Sequence, residues 1–550
     1  MPAPPSSPVD LESERAALAR ARDAVRAKLA ALDRIEGGGA DALADEYIAA
    51  VVAGAVERMR RELVVFGRID DGAAWRIGLY GIDDAGEQLV VDWRAPFATG
   101  FYQASFDDPR GLDRRVTYVG SIQDLFVEDF LDGEVTGSSP LMTELSRSKG
   151  PAMRAAVATL QSEQDALVRL PPTERLVLRG GPGTGKTVVG LHRAAWLVYN
   201  DDRLTAGRIL VVGPSDRFLR FVATVLPTLG ESRIVQTTFD RLLGPSTGAG
   251  SDERWLGLLD ALEADLVRPD GVRLGRRRFT ADAIAELAGP VLARPLPWRD
   301  RRRAFVASVA RAAGFEGTAA EAGRAVAKVW PAVSTGQAWS RVRNRATLLR
   351  LGADAGWVDA WLADDGDGAL HDEVRARFEG VPATYGHVIL DEAQDVSLLQ
   401  LRAARRRSSG LSLVGDDAQR SNPRGLGLRR AATELGVEPA TMDTAYRMSA
   451  EIAGWLNGHA RRHGIDAVEL VGIRPTGVPV RTAASAEAAR AELAGRWAEV
   501  AVIDAADAWT HKGVEYDAVV VDAERMDPAQ VYLAASRAAH ELVLVGGPSA

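Results

Sequence analysis

Apolar side chains recur at helical spacing over the first sixty residues. The stretch 10–34 is otherwise largely charged, and its apolar positions recur every seven residues at Leu11, Leu18, Val25 and Leu32. This pattern predicts a helix with one narrow apolar seam. Three glycines follow, and apolar residues then recur every four positions over 43–63. We therefore expect an antiparallel helical hairpin, either packed on the body of the protein as a small bundle or projecting from it as an arm.

The next patterns predict β-structure and then an α/β core. Over 75–93 the segments WRIGLYGI and EQLVVDW flank the turn sequence DDAG, which predicts a β-hairpin. A polar stretch follows and ends near residue 140. Beyond it, helical segments alternate with short, continuous apolar runs, which is typical of a parallel sheet covered on both faces. These runs lie at 176–178, 209–213, 387–391 and 411–415.

The alternation is interrupted once by a long, mostly helical and arginine-rich insertion, and it resumes in a smaller α/β unit with strands at 518–522 and 542–546. The chain therefore divides into six segments. The predicted segments are a helical hairpin (1–68), a small β-containing module (69–140), a first α/β lobe in two parts (141–240 and 381–440), the helical insertion between them (241–380) and a shortened second lobe (441–550).

Composition narrows the class of protein. The chain has 550 residues, 46% of them hydrophobic and 26% charged, which is ordinary for a globular protein of several domains. It contains no cysteine, which excludes disulfides, thiolate zinc sites, iron–sulfur clusters and a cysteine nucleophile. The net charge of −8 argues against a protein that coats nucleic acid through bulk charge. With no apolar run of membrane-spanning length and no secretory signal pattern, we expect a soluble, cytoplasmic monomer without membrane contact.

The sequence GGPGTGKT at 180–187 fits the phosphate-binding pattern G-x-x-x-x-G-K-[ST] and stands between a predicted strand and a predicted helix. Glycines let consecutive backbone N–H groups curl around phosphate oxygens, and the helix N-terminus adds partial positive charge. Lys186 is expected to reach the β- and γ-phosphates of ATP, and the Thr187 hydroxyl to bind Mg²⁺. The other predicted ATP contacts in this loop are Gly181, Gly183, Thr184 and Gly185.

Such a loop needs a carboxylate at the end of a neighbouring strand, and HVILDEAQD at 387–395 supplies it. Asp391 is expected to hold the Mg²⁺ ion, and Glu392 to orient and deprotonate the attacking water. The two segments together predict an ATPase, an enzyme that hydrolyses ATP to ADP and phosphate with Mg²⁺.

Further motifs follow in order along the chain: VGDDAQR at 414–420, TAYR at 444–447, THKGVEYD at 510–517 and VYLAASRA at 531–538. With DEAQD, they make the chain from residue 160 onward resemble the superfamily 1 helicases of the UvrD/Rep type. The segments DWRAPFATGFY, LSRSKGPAMRAAVATLQSEQDALVR, GLHRAAWLVY and LVVGPSDRFLRFVATVLPTLGE resemble the HelD group, the UvrD-like ATPases that bind bacterial RNA polymerase. The resemblance implies an α/β fold with two RecA-like lobes and with ATP and Mg²⁺ bound between them.

The same resemblance implies further site residues. Gln164 matches the glutamine that reads the adenine edge, and Tyr446 matches the aromatic residue that stacks on the base. Gln419 matches the glutamine that senses the γ-phosphate, and Glu515 matches the carboxylate on the ribose hydroxyl. The arginines that close on the triphosphate from the second lobe correspond to Arg447 and Arg537.

Two features depart from the UvrD/Rep pattern. Val188 follows the phosphate-binding loop where many of those helicases carry an arginine near the base. Thr510 lies only 63 positions after Arg447, where those helicases have a much larger second lobe with an inserted domain. The chain therefore lacks room for the parts that grip and split a duplex, which favours ATP hydrolysis over processive unwinding.

The helical insertion carries two arginine clusters, and residues 271–310 contain nine arginines and three acidic residues. The insertion resembles the HelD element that reaches into the DNA channel of the polymerase. The clusters are therefore expected to contact DNA phosphates or an acidic polymerase surface, with a solvated helical face as the alternative. The predicted contact residues are Arg276, Arg277, Arg278, Arg301, Arg302 and Arg303.

The leading predicted function is an ATP-hydrolysing motor that binds RNA polymerase and helps release or recycle it from nucleic acid. The N-terminal hairpin resembles the arm that HelD-type proteins push into the polymerase. Two alternatives are an ATP-dependent 3'-5' DNA helicase or translocase, and an ATP-gated binding protein with slow hydrolysis. Because every predicted nucleotide contact lies at Gln164 or later, a chain lacking residues 1–68 is expected to keep its basal ATPase activity.

Overall fold

The computed structural model describes residues 9–32, 65–119, 123–141, 160–231, 234–246 and 248–546. The second helix predicted for the N-terminal hairpin, over 43–63, lies outside these residues. Within the described part of the chain, no helix is both long enough and apolar enough to cross a membrane.

The strands, in chain order, are β1 (Val65–Asp70), β2 (Ala74–Gly78), β3 (Ile82–Asp84), β4 (Glu87–Asp92), β5 (Arg114–Tyr118), β6 (Leu125–Asp129), β7 (Glu134–Thr136), β8 (Leu176–Gly180), β9 (Ile209–Gly213), β10 (Val235–Thr238), β11 (Val272–Leu274), β12 (Arg277–Phe279), β13 (Tyr385–Leu390), β14 (Ser408–Gly415), β15 (Ala440–Met442), β16 (Thr444–Ala445), β17 (Val471–Gly472), β18 (Arg481–Ala483), β19 (Val500–Ile503), β20 (Tyr516–Asp522) and β21 (Ala538–Val545). The helices are α1 (Leu11–Leu32), α2 (Thr99–Gln103), α3 (Ser162–Val168), α4 (Lys186–Asn200), α5 (Asp216–Val225), α6 (Phe239–Leu243), α7 (Arg254–Leu266), α8 (Ala281–Leu292), α9 (Trp298–Ala313), α10 (Ala319–Ala325), α11 (Thr335–Val342), α12 (Arg345–Arg350), α13 (Ala355–Leu362), α14 (Gly368–Phe378), α15 (Leu398–Arg407), α16 (Leu428–Leu435), α17 (Ala450–His463), α18 (Ala486–Ala494) and α19 (Pro528–Ala535).

The N-terminal module is a seven-stranded sheet in the order β3-β4-β2-β1-β5-β6-β7. Its strands β3 and β4 form an antiparallel hairpin, but β2 runs parallel to β4, with Ile77 opposite Val91. The hairpin predicted around the turn DDAG is therefore confirmed in β3 and β4, but the first part of its predicted arm is a separate strand, β2, which pairs with β4 in parallel. The alternating pattern located the strands, but it holds no information on partners, and the buried pair Ile77 and Val91 is satisfied equally by a parallel neighbour.

Helix α1 packs on this sheet. Its residue Leu18 contacts a small core around Val116 and Tyr118, and the next turns, at Ala21 and Val25, pack against β3 and β4. In this region the apolar seam of the predicted helix therefore packs against the sheet. Helix α1 is packed on the module and does not project from it as an arm. The boundary predicted at residue 68 falls inside β1, the central strand of the module.

The first lobe is a six-stranded sheet in the order β10-β9-β13-β14-β8-β15, and all of its neighbouring strands are parallel. Its strands are continuous apolar runs because helices cover both faces of the sheet. Parallel strands end at one edge, so the residues after β8, β13 and β14 meet there. The predicted start of the second lobe at residue 441 lies inside β15, the last strand of this sheet.

The second lobe is a four-stranded parallel sheet in the order β18-β21-β20-β19, covered by α17, α18 and α19. Two parallel sheets flanked by helices, joined to a module with a helical N-terminus, confirm the predicted α/β class with two RecA-like lobes.

The insertion between β10 and β13 has its own hydrophobic core, in which Trp255, Trp298, Trp330 and Trp361 are fully buried. It is mostly helical, as predicted, but the cluster GRRRF lies on the β11–β12 hairpin rather than on a helix. A glycine with φ of 59° at residue 275 makes the tight turn between these two strands.

Candidate functional site

The phosphate-binding loop connects β8 to α4, and its glycines are needed for its shape. Gly183 and Gly185 have φ values of 74° and 88°, in the left-handed region that side chains disfavour. Thr184 closes the loop, since its hydroxyl donates to the carbonyl of Gly181 at 2.9 Å. The Lys186 ammonium donates to the same carbonyl at 2.6 Å, so it lies over the loop at the N-terminus of α4.

The acidic partner lies at the end of β13. The Thr187 hydroxyl donates to Asp391 Oδ2 at 2.8 Å, so a hydroxyl and a carboxylate from the two motifs meet. Burial and the neighbouring charge of Glu392 raise the pKa of Asp391 to about 7. Hard oxygen ligands of this kind fit Mg²⁺, which keeps waters and binds substrate phosphates beside one or two protein ligands. Within the described residues, no cluster of three or more His, Asp or Glu side chains could hold a metal ion alone.

Glu392 follows directly, with φ of 52° in the left-handed region. A residue other than glycine is strained there, and such strain is found where the surrounding structure fixes a side chain in place. Glu392 Oε2 accepts from Gln394 Nε2 at 2.7 Å and lies 3.1 Å from Lys512 Nζ of the second lobe. Burial raises the pKa of Glu392, but the charges of Lys512 and Lys186 outweigh it, so the pKa lies below its ordinary value.

The second lobe contributes more groups to the same site. Arg537 is buried, and its Nη2 donates to Gln419 Oε1 at 2.8 Å, while Gln419 Nε2 donates to Asp416 at 2.7 Å. Lys512 Nζ also donates to Asp395 Oδ2 at 2.5 Å. Burial lowers the pKa of Arg537, and its guanidinium faces the carboxylates of the first lobe. Residues from both lobes therefore meet in one charged cluster.

The residue predicted to stack on the adenine base, Tyr446, contacts the phosphate-binding loop at Gly183. The backbone N–H of Tyr446 donates to the carbonyl of Gly183 at 3.1 Å, and its hydroxyl donates to Glu163 at 2.7 Å. Beside it, the half-exposed Arg447 forms an ion pair with Glu515 at 2.6 Å. Arg447 and Glu515 were predicted to bind different parts of the nucleotide, and here each is the partner of the other.

Gln164 is buried, and both ends of its amide are bonded. Its Nε2 donates to the carbonyl of Thr184 at 3.1 Å, and its Oε1 accepts from the backbone N–H of Gln161 at 3.0 Å. The predicted adenine-reading residue thus lies directly against the phosphate-binding loop. The structure therefore brings every predicted ATP contact to one region at the edge of the first sheet.

Sequence reasoning missed two carboxylates and the contacts of one lysine. Asp395 and Asp416 lie in the motifs DEAQD and VGDDAQR, so their position in those motifs was the available signal. Lys512 stood out as one of five lysines among 67 basic residues, and the structure uses it to bind two carboxylates of the other lobe.

The predicted contact arginines of the insertion separate into two groups. Arg301 is buried and ion-paired with Glu263 at 2.5 Å, and Arg302 donates to the carbonyls of Trp330 and Gly323. The packing of α9 therefore corrects the prediction for Arg301, which is buried, whereas Arg302 is half-buried and its contact role stays a prediction. Arg303 is exposed, and so are the three predicted contact arginines of the β11–β12 hairpin, Arg276, Arg277 and Arg278.

Comparison with known proteins gives two family matches. Residues 10–135 match the family described as DNA helicase IV HelD, N-terminal domain. Residues 164–423, which contain the phosphate-binding loop and the acidic strand, match the family described as AAA domain. No curated protein matches this sequence.

Solved helicases of viruses are similar over part of the chain. The arterivirus nonstructural protein 10 helicase is 16% identical over 31% of this chain and 41% of its own, with a TM-score of 0.23. The same helicase in complex with DNA is 16% identical over 30% of this chain and 40% of its own, with a TM-score of 0.23. The PRRSV helicase is 12% identical over 69% of this chain and 54% of its own, with a TM-score of 0.27. The chain thus spans 40% to 54% of the length of these solved chains.

The match over 10–135 includes the segment DWRAPFATGFY, and the match over 164–423 includes the phosphate-binding loop and the motifs DEAQD and VGDDAQR, in that order along one polypeptide. Together the two matches support a HelD-type protein of the superfamily 1 helicase-like P-loop NTPases.

Proposed function

We propose that this protein is an ATP-hydrolysing motor that binds RNA polymerase and helps release it from nucleic acid. The observation that carries the proposal is the composite site, in which Lys186 and Glu392 of the first lobe meet Lys512 and Arg537 of the second. A site assembled from two lobes links the chemistry of ATP to the relative position of those lobes.

The first lobe supplies the groups that bind the triphosphate. Loop N–H groups and Lys186 would hold the β- and γ-phosphates, because the loop directs its donors into one concave site at the start of α4. Thr187 and Asp391 would hold Mg²⁺, which neutralises phosphate charge when bound. Their oxygens already lie 2.8 Å apart, which supports their use as neighbouring ligands.

Glu392 is the residue we assign to orient and deprotonate water. Its pKa lies below the ordinary value because Lys512 and Lys186 are close, so it is ionised at neutral pH. Lys512 also holds it by a direct ion pair, and a movement of the second lobe would change that pair. The strength of Glu392 as a base would therefore depend on the position of the second lobe.

Arg537 and Arg447 are the groups we assign to the charge that develops on the triphosphate. Arg537 donates a hydrogen bond to Gln419, the residue assigned to sense the γ-phosphate. A change at the γ-phosphate would therefore reach the second lobe through this hydrogen bond. Arg447 would exchange its partner Glu515 for phosphate, which would leave Glu515 to the ribose. Tyr446 and Gln164 would hold the base beside the loop.

The match of residues 10–135 to a HelD N-terminal domain supports RNA polymerase as the partner. The hairpin arginines at 276–278 support a local contact with nucleic acid or with an acidic polymerase surface, because they are exposed and project from a two-stranded hairpin. Polymerase release rather than duplex unwinding is favoured by the 63-residue spacing between Arg447 and Thr510.

Two measurements test the proposal. Purified protein should hydrolyse ATP, and Lys186→Ala should abolish ATP binding because the loop loses its cation. Tagged protein from its native cell should capture RNA polymerase subunits, identified by mass spectrometry. A chain that neither turns over ATP nor captures polymerase contradicts the proposal, whereas robust strand separation of a tailed duplex would favour a DNA helicase.

A further inference from the structure

The DWRAPF segment (92–97) lies where the N-terminal module meets the first lobe, and its first three residues are buried there. Trp93 is fully buried, and its ring edge packs on His192 of α4 with centroids 5.3 Å apart. It belongs to a hydrophobic core that the module shares with the first lobe. Arg94 is buried as well and reaches Glu231 of the first lobe at 2.7 Å. The module is therefore docked firmly on the first lobe.

Arg169 binds the backbone of this segment from the end of α3. Its Nη2 donates to the carbonyl of Trp93 at 3.0 Å and its Nη1 to that of Ala95 at 3.2 Å. Its Nε donates to both carboxylate oxygens of Asp165, at 2.9 and 2.8 Å. The same carboxylate accepts from Gln103 of α2 at 2.7 Å. Two side chains of α3 are thus bonded to the module.

The opposite side of α3 is held by the helix that follows the phosphate-binding loop. Arg193 of α4 donates to four carbonyls at and after the end of α3, those of Leu167, Val168, Leu170 and Pro171. A helix of seven residues is unstable on its own, so its position must come from tertiary contacts of this kind. Helix α3 carries Gln164, which bonds the loop at Thr184.

The ion pair of Asp165 and Arg169 is not needed merely to dock α3 on the N-terminal module. Asp165 is fully buried and Arg169 is nine-tenths buried, so both have lost their water. A buried ion pair adds little stability over well-packed apolar residues, but its hydrogen bonds fix direction and distance. The pair therefore sets where α3 lies relative to the DWRAPF segment, rather than merely holding the two together.

We infer that Arg169, with Asp165 and Gln103, is a positioning residue for base recognition, through which the N-terminal module holds Gln164 against the phosphate-binding loop. This rests on the proposed function, which assigns Gln164 to the adenine edge. The module is then part of the nucleotide site, although none of its residues touches the nucleotide. A partner that binds the module and shifts the DWRAPF segment would change nucleotide affinity through α3.

The first test replaces Arg169 by lysine. Arg169→Lys keeps the charge beside Asp165, but an ammonium cannot reach a carboxylate and two carbonyls as the planar fork does. We expect the KM for ATP to rise about five- to tenfold, the effect of losing one or two hydrogen bonds, with little change in kcat. The preference for ATP over GTP should fall as well, because Gln164 loses its fixed position.

The matched control is Arg203→Lys, since Arg203 also makes a two-pronged pair with an aspartate, Asp201, but is largely exposed and lies beyond α4. It should leave the KM and the ATP preference unchanged. Circular dichroism and thermal unfolding of both variants separate a shift of α3 from loss of fold. An unchanged KM and base preference in folded Arg169→Lys would overturn the inference.

A double-mutant cycle separates this inference from the proposed function. Gln103→Ala, made in the module, and Gln164→Ala should each weaken binding of a fluorescent ATP analogue, and the double variant should be no weaker than Gln164→Ala alone. Additive losses, or a Gln164→Ala protein with normal affinity, would contradict positioning through Gln164 while leaving ATP binding in place. Failure of the unmodified chain to bind the analogue would instead overturn the proposed function, and the inference with it.

Discussion

Glu392 combines a strained backbone with a carboxylate that is held by a lysine of the other lobe. Its φ of 52° directs the side chain toward Gln394 and Lys512. We expect Glu392→Gln to keep ATP binding and to lower hydrolysis at least about 100-fold, because the amide keeps the shape but cannot accept a proton. ATP turnover and binding of a fluorescent ATP analogue measure the two effects.

The control for this change is Glu469→Gln, at an exposed glutamate paired with Arg461 on the surface of the second lobe. It should hydrolyse ATP at the unmodified rate. Equal turnover by Glu392→Gln and the unmodified chain would remove Glu392 from the chemistry.

His387 makes stability depend on pH. It is fully buried on β13, between Ser412 Oγ and the carbonyl of Pro172, both at 2.9 Å, and burial together with the charge of Arg193 lowers its pKa from 6.5 to about 3. Below pH 6.5 the unfolded chain takes up a proton that the folded chain excludes. The contribution of neutral His387 to the free energy of unfolding is therefore complete above pH 6.5. It is lost as the pH falls toward 3, by about 1.4 kcal/mol per pH unit.

Urea unfolding measured from pH 7 to 4.5 tests this directly. We expect His387→Gln to have a shallower dependence of the unfolding free energy on pH, by about 1.4 kcal/mol per unit, since the group no longer titrates. His192, whose burial lowers its pKa to about 4, continues to contribute in that variant. The same change at the exposed His463 should leave the slope as it is, and an unchanged slope in His387→Gln would contradict the account.

At the scale of elements, a buried carboxylate of α1 bonds the helix to the N-terminal module, in addition to its apolar packing. The Glu14 side chain is fully buried and ion-paired with Arg68 at 3.0 Å and Arg76 at 2.8 Å, and it accepts from the Tyr118 hydroxyl. Glu14→Ala leaves those partners uncompensated, so we expect it to destabilise the module by about 3–5 kcal/mol. Thermal unfolding followed by circular dichroism measures this loss.

Glu12, two residues before Glu14 and exposed on α1, provides the control. Glu12→Ala should change the unfolding free energy by less than about 0.5 kcal/mol. Equal stability of the two variants would show that α1 does not depend on its buried carboxylate.

The β11–β12 hairpin is the element proposed to contact phosphates. Changing Arg276, Arg277 and Arg278 to glutamine should weaken any DNA binding and lower the slope of log affinity against log salt by up to about 2.7, since each phosphate contact releases close to one counterion. Fluorescence anisotropy with labelled DNA at several salt concentrations measures the slope. Arg461 and Arg462, exposed in the second lobe, are control positions; an equal decrease in both sets of variants would make the effect one of bulk charge.

Local patterns predicted elements whose partners are close in the chain. The strand before the phosphate-binding loop and the helix after it were predicted because an apolar run, glycines and a lysine define that unit within fifteen residues. The hairpin predicted over 75–93 forms around its turn in β3 and β4, but the pattern did not reveal β2 as a separate strand, because its parallel pairing with β4 is set by the rest of the sheet. Arg301 was mispredicted for a related reason, since its burial comes from packing against α7.

At the scale of the whole molecule, the module and the nucleotide site are one structure. The chain lacking residues 1–68 was predicted to keep its ATPase activity, but that deletion removes the first four residues of β1, the central strand of the module. It also removes α1 with Glu14. The sequence could not reveal the connection between module and lobe, because the DWRAPF segment contacts Arg169, more than sixty residues away, and the effect of the deletion on ATPase activity stays a prediction.

The central claim is that ATP hydrolysis at the composite site drives release of RNA polymerase from nucleic acid. A polymerase complex stalled on labelled DNA, mixed with the protein and ATP, measures this by the fraction of DNA set free. We expect release by the unmodified chain with ATP, and none by Glu392→Gln, although both should co-migrate with the polymerase on a sizing column. Equal release by the two proteins, or no co-migration of the unmodified chain with polymerase, would contradict the account.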